Sequence, residues 1–406
     1  MPTWRRLCRF KLQRSKMAVR KQHSTVSSPR SSISSQSKRP AHWVNDKGTA
    51  FVNPWDSYKV PAFWPLFKFV RQVGKEQRDD PDFERANELV PQVKPDFGIN
   101  EPTTKLKATW LGHACFLVEL PAPKEGGRGI TFLLDPAFSH QCFPIQSTWL
   151  GPKGRYTPVP CSVTELPEID AIVISHNHYD HMDLFTLKDL YARSPSRPPT
   201  LFIPLRNTAT LQSTLPSSAK IIEMDWWDES EFVVEGKGSA KVICTPAQHT
   251  CSRIGIDRDK ALWSSWALQS ITSTGQKGAS AWFGGDTGYS YVDKDIHTID
   301  PSYPICPAFT EIGERAGPFT LGLIPIGAYA PRHLMSPAHN APIDAVRMFK
   351  DVKCKQAIAM HWGTWRMALD RIAEPPLKLE EARKEVGMSE NEFSVCAIGE
   401  TRAYDP

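Results

Sequence analysis

Short apolar runs recur along the chain from Leu106 onward, and turn-forming residues separate them. Runs of this kind, rich in β-branched and aromatic residues, predict strands. The predicted strands cover residues 107–111, 114–119, 130–134, 171–174, 200–203, 231–235, 240–244, 263–269, 280–283, 322–326 and 357–360. Apolar residues at helical spacing predict helices over residues 183–192, 341–351 and 377–386. Many strands with interspersed helices, and no internal repeat, predict an α/β sandwich.

The chain before Leu106 has a different pattern, in which aromatic residues are concentrated between positions 51 and 69. Basic side chains flank these rings, at Lys59, Lys68 and Arg71. This combination is typical of a segment at a membrane–water interface. An arm that buries its rings against the body of the protein explains the pattern equally well.

Residues 71–105 are charged and punctuated by proline, which predicts a connecting stretch with one short helix near residues 82–89. At 406 residues the chain has room for one large domain or two of ordinary size. We divide it into a basic segment over residues 1–40, an N-terminal arm and linker over 41–105, and a main domain over 106–400.

The basic segment contains eleven Lys or Arg, no Asp or Glu, and many serines. Acid-poor starts rich in Arg and Ser are typical of mitochondrial transit peptides. A disordered basic tail that binds anionic surfaces is the alternative. We expect this segment to lie outside the fold. We also expect a mitochondrial, membrane-associated protein, with peripheral association to other intracellular membranes as the alternative.

The net charge of +5 comes from this first segment, because the remaining 38 basic and 44 acidic residues give a net charge of −6. A mildly acidic body argues against a nucleic-acid partner. No apolar run reaches the roughly 18 residues that a membrane-spanning helix requires. The nine cysteines include no CxxC pair, which favours reduced thiols in an intracellular compartment over a disulfide framework.

Metal-binding residue types cluster directly after the predicted strand 171–174, in the sequence HNHYDH at residues 176–181. Imidazole and carboxylate groups are ligands of zinc and similar cations. Three further residues of these types each follow the end of a short apolar strand. Side chains at strand ends converge readily, so we predict one metal centre. Its proposed ligands are His176, His178, Asp180, His181, His249, Asp286 and His361.

Seven ligands are too many for one tetrahedral zinc ion and suit two ions that share a carboxylate, with positions left for water. Two metal ions about 3.5–4 Å apart can hold a bridging hydroxide and clamp a phosphoryl oxygen during in-line hydrolysis. The number of ligands therefore predicts a hydrolase.

The HxHxDH motif with a later His, Asp and His resembles the metallo-β-lactamase superfamily. That resemblance implies an αββα sandwich, here with an N-terminal extension, and a dinuclear site between its two sheets. Flanking motifs narrow the resemblance to the family of phospholipases D that hydrolyse N-acylphosphatidylethanolamine, over residues 50–400. These motifs are TWLGHA at 109–114, LGPK at 150–153, WSSW at 263–266, GDTGY at 285–289, IPIGAY at 324–329 and HWGT at 361–364.

The family resemblance implies two zinc ions, with iron or manganese as alternatives. It assigns one ion to His176, His178 and His249, the other to Asp180, His181 and His361, and a bridging position to Asp286.

The resemblance also implies roles for residues outside the ligand set. His339 matches a histidine that helps to hold the phosphate or the leaving group, so that Asp286 and His339 carry the catalytic roles. Asp135 matches a strand-end carboxylate that orients a metal ligand. His113 lies near the site in the motif, and we favour a packing role for it.

The implied reaction is hydrolysis of N-acylphosphatidylethanolamine to N-acylethanolamine and phosphatidic acid through a metal-bridging hydroxide. The implied partners are the phospholipid and a peripheral membrane surface, and a homodimer is left open. An apolar route for the acyl chains is expected at the aromatic arm or near Trp226 and Trp227, unless these rings are buried. The alternatives are another hydrolase of the fold (a lactonase, thioesterase or nuclease) or a non-catalytic membrane-associated binding protein.

Overall fold

The structure is a computed structural model of the protein, and it describes residues 24–31, 39–147, 149 and 151–406. Sixteen β-strands and eight α-helices lie within these ranges. The strands are β1 Ser24–Val26, β2 Arg30–Ser31, β3 Leu106–Trp110, β4 Phe116–Glu119, β5 Thr131–Leu134, β6 Ala171–Val173, β7 Thr200–Pro204, β8 Ile221–Met224, β9 Asp228–Val234, β10 Gly238–Thr245, β11 Ser265–Ile271, β12 Lys277–Phe283, β13 Phe319–Pro325, β14 Cys354–Met360, β15 Phe393–Ser394 and β16 Thr401–Tyr404. The helices are α1 Phe63–Arg78, α2 Ala86–Leu89, α3 Leu184–Arg193, α4 Thr208–Leu211, α5 Ala308–Arg315, α6 Arg332–Met335, α7 Pro342–Asp351 and α8 Glu374–Val386.

The strands form two sheets. The larger sheet has the order β1-β9-β10-β11-β12-β13-β14-β15, with β2 also paired to β9, and the smaller sheet has the order β16-β3-β4-β5-β6-β7-β8. Aromatic side chains from both sheets meet in one core. The Phe232 ring of the larger sheet lies 6.0 Å from Phe132 and 5.7 Å from Phe202 of the smaller sheet. The two sheets therefore pack face to face.

Helices cover the outer faces of both sheets. In β6, Ala171 and Val173 face the core between the sheets, while Ile172 packs with Leu187 of α3, as the two-residue period of a strand requires. On the other side, the Phe309 ring of α5 lies 6.1 Å from the Trp282 ring of β12. The αββα sandwich implied by the resemblance is confirmed.

Parallel pairing places several strand ends at one edge of the sandwich. In the smaller sheet β5, β6, β7 and β8 pair in parallel, and in the larger sheet β12, β13, β14 and β15 do so. The carboxyl ends of parallel strands share an edge of the sheet, where open α/β sheets commonly bind their ligands. The loops after β5, β6, β12, β13 and β14 lie at these strand ends.

Part of the basic segment belongs to the sheet. Ser24–Val26 pairs antiparallel with residues 232–234 of β9, although we expected residues 1–40 to lie outside the fold. The composition of the whole segment is that of a polar tail, whereas Thr25 and Val26 are β-branched residues that suit an edge strand. The transit-peptide prediction falls largely on residues 1–23 and 32–38, which lie outside the described residues.

The first part of the aromatic arm packs on the body. Phe51 is 2% exposed, and the rings of Trp55 and His42 stack on Trp226 at 5.4 and 4.3 Å. Trp226 and Trp227 are themselves buried, so they offer no surface route for acyl chains.

The second part of the arm is the helix α1, which extends into the stretch that we predicted to be a connecting segment. Pro65 lies in the first turn of α1, where proline costs no intrahelical hydrogen bond, so the prolines did not break the helix. α1 buries Phe69 and Val73 and exposes Trp64 and Val70. Among the described residues, no helix combines the length and apolarity needed to cross a bilayer.

Candidate metal centre

The loop after β6 carries four of the proposed ligands and is fixed at both ends. It begins at a buried parallel strand and ends at α3, where Asp183 Oδ1 accepts hydrogen bonds from Phe185 N (3.0 Å) and Thr186 N (3.3 Å). This N-terminal cap satisfies amide groups that a helix start leaves without partners. The side chains of residues 176–181 are consequently held against the core.

The loop after β12 reaches the β6 loop through a close backbone contact. Gly285 has φ +57°, and a Cβ at this position would lie 2.5 Å from the Ser175 Cβ. Glycine is therefore required for this approach, since any larger residue would push the two loops apart. The contact brings Asp286, on the larger sheet, to the histidines of the smaller sheet.

The first cluster combines ligands from both sheets. His176 Nε2 lies 2.8 Å from His178 Nδ1, and His249 Nε2 lies 3.3 Å from the same His178 nitrogen. Asp286 Oδ2 lies 3.9 Å from His176 Nε2 and 3.7 Å from His249 Nε2. One ligand atom from each of these four residues falls within 4.8 Å of the others, which is close enough for one metal ion.

The second cluster uses the same aspartate. Asp180 Oδ2 lies 3.2 Å from His181 Nε2 and 3.7 Å from His361 Nε2. Asp286 Oδ2 lies 3.2 Å from His181 Nε2, and Asp286 Oδ1 lies 2.9 Å from His361 Nε2. The Asp286 carboxylate therefore faces both clusters, as a bridging ligand does.

Hydrogen bonds on the outer side of the histidines fix their tautomers. His181 Nδ1 donates to Asp135 Oδ2 at 2.6 Å. The Ser175 hydroxyl gives its one proton to the same carboxylate at 2.5 Å and so accepts from His176 Nδ1 at 2.9 Å. In neutral His176 and His181, each Nε2 therefore presents a lone pair to the cluster. Asp135 has the position expected of an orienting carboxylate.

The same pattern holds elsewhere in the site. His249 Nδ1 donates to Ala338 O at 2.8 Å, which leaves its Nε2 facing inward. Within the described residues, His181 Nε2, His361 Nε2 and Asp286 Oδ1 are buried and make no hydrogen bond of suitable geometry, although the last two atoms lie 2.9 Å apart. Buried polar atoms without partners are rare in folded proteins, and a cation between them would satisfy all three. The donor set thus fits a dinuclear metal site.

Electrostatics favour the metal-binding forms of His176 and Asp286 but not of every ligand. Burial, reinforced by the neighbouring His181 and His178, lowers the pKa of His176 well below its ordinary value. Burial alone would raise the pKa of Asp286, but His181 and His361 outweigh it and hold that pKa well below the ordinary range. Neutral imidazole and ionised carboxylate are the ligand forms of these residues. Burial would lower the pKa of His181 and of His361, but the carboxylates of Asp286 and Asp180 outweigh it. They raise the first pKa well above its ordinary value and the second to about 9, so a metal ion must displace a proton from each.

His339 stands at the rim of the centre, in the loop after β13. Its Nδ1 lies 3.9 Å from Asp286 Oδ2, and its ring centroid lies 5.1 Å from that of His249 and 5.6 Å from that of His361. The side chain is 17% exposed. It can therefore contact both the centre and a bound molecule.

His113 contributes more than the packing that the sequence led us to favour. Its Nε2 lies 2.9 Å from Asp180 Oδ2, and its ring lies 4.0 Å from His361. His361 N donates to His113 O at 3.0 Å. The signal in the sequence was a histidine in the turn between two predicted strands. That turn places His113 beside the second cluster.

A family described as a beta-lactamase superfamily domain matches residues 131–362, more than half of the chain. The N-acyl-phosphatidylethanolamine-hydrolyzing phospholipase D 1 of Caenorhabditis elegans is 34% identical over 365 residues, 87% of this chain and 92% of that protein. The mitochondrial N-acyl-phosphatidylethanolamine-hydrolyzing phospholipase D of Saccharomyces cerevisiae is 28% identical over 395 residues, 87% of this chain and 75% of that protein. Among solved structures, a metallo hydrolase from the archaeon Ignicoccus hospitalis has a TM-score of 0.46 and 18% identity, over 74% of this chain and 98% of its own. The chain is thus a metal-dependent hydrolase and belongs to the N-acylphosphatidylethanolamine-hydrolysing phospholipase D family of the metallo-β-lactamase superfamily.

Proposed function

We propose that the protein is a zinc-dependent phosphodiesterase of the phospholipase D type. It hydrolyses N-acylphosphatidylethanolamine to N-acylethanolamine and phosphatidic acid. The observation that carries the proposal is the Asp286 carboxylate, which faces two ligand clusters in a chain 34% identical to an N-acyl-phosphatidylethanolamine-hydrolyzing phospholipase D. A centre that holds two ions beside one carboxylate suits hydrolysis at phosphorus.

The family resemblance groups the ligands in the same way as the two clusters. One ion would be held by His176, His178 and His249 and the other by Asp180, His181 and His361, and Asp286, which faces both clusters, would contribute to each site. Nitrogen and oxygen donors suit zinc and also accept iron or manganese. When bound, the ions supply a water-derived nucleophile near neutral pH and offset negative charge on the phosphoryl oxygens.

The chain's own residues position the reacting groups. Asp286 holds the two clusters in a fixed relation. Both of its carboxylate oxygens lie within 3.2 Å of an imidazole nitrogen of the second cluster, and Oδ2 also faces the first cluster. His339 is partly exposed at the rim, where its imidazole can donate a hydrogen bond to a phosphoryl oxygen or to the leaving ethanolamide oxygen. Stabilisation of that oxygen is needed because an alkoxide is a poor leaving group.

The membrane surface is the proposed source of the substrate, and α1 is the proposed contact. Trp64 and Val70 on this helix are 68% and 61% exposed, and the basic side chains of Lys68, Arg71 and Lys75 are exposed beside them. Exposed aromatic and apolar residues among Lys and Arg are typical of helices that lie in the membrane interface.

The buried face of α1 connects this surface to the centre. Phe69 and Val73 form an apolar cluster with Ala328, and Met335 packs against that cluster. Met335 O accepts a hydrogen bond from His339 N at 2.8 Å. The packing of α1 beside the loop that carries His339 supports the proposal that the lipid approaches the centre from the side of α1.

We further propose a mitochondrial location, supported by the basic start and by the mitochondrial relative in Saccharomyces cerevisiae. Fractionation of cells that express a C-terminally tagged chain tests the location, and recovery of the protein in the cytosol alone contradicts it. A homodimer is left open by the sequence. Light scattering of the purified protein tests that state, and a monomeric mass over the working concentrations contradicts it.

Product analysis tests the reaction itself. The full chain is given N-acylphosphatidylethanolamine or phosphatidylcholine in mixed micelles, and the products are identified by mass spectrometry. We expect N-acylethanolamine and phosphatidic acid from the first substrate and little turnover of the second. Failure to hydrolyse either lipid, combined with turnover of a lactone or thioester, would replace the phospholipase assignment with another activity of the fold.

A further inference from the structure

Gln248 lies between β10 and the ligand His249, and its side chain is fully buried. Its backbone joins the loop that carries Asp286: Gln248 N donates to Thr287 Oγ1 at 2.9 Å, and Gly288 N donates to Gln248 O at 2.7 Å. These hydrogen bonds therefore join the two loops directly beside the ligands His249 and Asp286.

The side chain of Gln248 reaches the third loop of the centre. Gln248 Nε2 donates to Pro337 O at 3.0 Å, two residues before His339. The adjacent His249 Nδ1 donates to Ala338 O at 2.8 Å. One glutamine therefore touches all three loops that the larger sheet delivers beside the first cluster, namely those of His249, Asp286 and His339.

The N-terminal arm fixes the orientation of this amide. Ser57 Oγ donates to Gln248 Oε1 at 2.5 Å, and Gln248 Nε2 also lies 3.3 Å from Ser57 O. Asn53 Nδ2, four residues earlier, donates to His249 O at 2.8 Å. Ser57 is 1% exposed and Asn53 is 7% exposed, so water does not compete for these bonds.

We infer that Gln248 is a positioning residue that sets the relative placement of His249, Asp286 and His339, and that Ser57 of the N-terminal arm holds its amide in the working orientation. The hydroxyl proton of Ser57 selects the rotamer in which Oε1 faces the arm and Nε2 faces Pro337 O. The arm is then an integral part of the metal centre. The inference rests on the ligand set of the proposed function.

Outer partners of metal ligands typically change metal affinity or activity by about 10- to 100-fold when they are removed. We therefore expect Ser57→Ala and Gln248→Leu in the full chain to weaken zinc binding by about 10- to 100-fold. Competition between the protein and a chromophoric zinc chelator measures this change without any lipid. The absorption bands of the cobalt-loaded protein should also shift, because the coordination of the first cluster changes.

Two variants serve as matched controls. Gln269 is another buried glutamine, and its Nε2 donates a hydrogen bond to Ala316 O. Ser230 is another buried serine, and its Oγ donates a hydrogen bond to Ser27 O. Gln269→Leu and Ser230→Ala remove comparable bonds outside the centre. They should retain the zinc affinity and the cobalt spectrum of the wild type.

The conservative variant Ser57→Thr keeps the hydroxyl and should restore most of the affinity that Ser57→Ala loses. If Gln248→Leu does not fold, the comparison of Ser57→Ala with Ser57→Thr tests the inference on its own. Equal zinc affinity and identical cobalt spectra for Ser57→Ala, Ser57→Thr and the wild type would overturn the inference. A wild-type chain that binds neither zinc nor cobalt would instead overturn the proposed ligand set, on which the inference depends.

Discussion

The His113 imidazole contacts the Asp180 carboxylate, with Nε2 2.9 Å from Oδ2. Ionised aspartate can only accept hydrogen bonds, so His113 Nε2 carries the proton. The contact joins the turn between β3 and β4 to the loop after β6. It fixes the orientation of Asp180 beside the second cluster.

We expect His113→Ala to weaken binding of the second metal ion by about 10- to 100-fold, the usual loss for a residue that orients a ligand. His113→Gln places a donor at a similar reach and should lose less. Metal content after dialysis against a weak chelator measures the difference. Two equivalents of tightly held metal in His113→Ala would show that the contact serves packing alone.

Asp286→Ala should lower turnover by more than about 100-fold, beyond the loss typical of an outer partner. The reason is that both clusters lose a shared ligand at once. Steady-state kinetics measure the loss, and circular dichroism checks that the fold is retained. Asp46→Ala, at a side chain that is 92% exposed, is the matched control and should be fully active. An active Asp286→Ala enzyme would defeat the bridging role.

Removal of metal by a chelator should abolish hydrolysis and lower the melting temperature. A ligand present at 100 times its Kd stabilises the folded state by about 2.7 kcal/mol per site. Restoring zinc should recover both properties, with close to two ions per chain by elemental analysis. Full activity in protein that contains less than a tenth of an equivalent of metal would contradict the metal dependence.

Asp80 connects the arm to the main domain and predicts a pH-dependent stability. Its Oδ2 accepts hydrogen bonds from Tyr156 Oη (2.6 Å) and Arg366 Nη1 (2.8 Å). Burial acts to raise the pKa of Asp80, but the bonds from Tyr156, the Asp82 amide and Arg366 outweigh it and lower the pKa below 3.8. A carboxylate with a lowered folded-state pKa adds stability above its unfolded pKa and loses it as pH falls through the folded one.

Asp80→Asn should therefore lower the free energy of unfolding at pH 7 by about 1.5–3 kcal/mol, the usual contribution of hydrogen bonds to a charged group. The difference from the wild type should shrink as pH falls below 3.8. Urea titrations of the chelated protein at several pH values measure this. A constant difference down to the lowest pH at which the protein folds would show that the charge of Asp80 is not the cause.

Replacing the exposed apolar residues of α1 tests the membrane contact. The double variant Trp64→Ser/Val70→Ser should bind anionic vesicles at least about tenfold more weakly, because partial burial of two such side chains is worth more than 1.4 kcal/mol. Co-sedimentation measures binding, and turnover of a short-chain soluble substrate should be retained. Ile99→Ser is the control, since Ile99 is 81% exposed and lies outside α1. Equal losses in both variants would argue against a specific contact at α1.

The proposed ligands could be selected from the sequence because they follow a local rule. A run such as Ala171–Val173 is recognisably a buried strand, and the polar residues at its end are forced to the sheet edge. The same rule located His249, Asp286 and His361. Strand boundaries differed by a few residues because local propensity does not fix where a ladder ends.

The parts that the sequence did not predict depend on long-range contacts. Ser57 and Gln248 are 191 positions apart, and no periodicity in either segment indicates that they touch. The contact of His113 with Asp180 spans 67 positions in the same way. α1 was missed for a local reason, since the prolines near its start also occur in loops.

The pairing of Ser24–Val26 with β9 bears on how the N-terminus can be processed. An uncovered edge strand presents free amide and carbonyl groups to other chains and promotes aggregation. A protease that removed residues 1–40 as one unit would also remove β1 and leave this edge of β9 unpaired. If the proposed import signal is cleaved, a cut upstream of Ser24 would keep the edge of β9 covered, and the signal and the strand that protects against self-association would then occupy adjacent stretches of the same short segment.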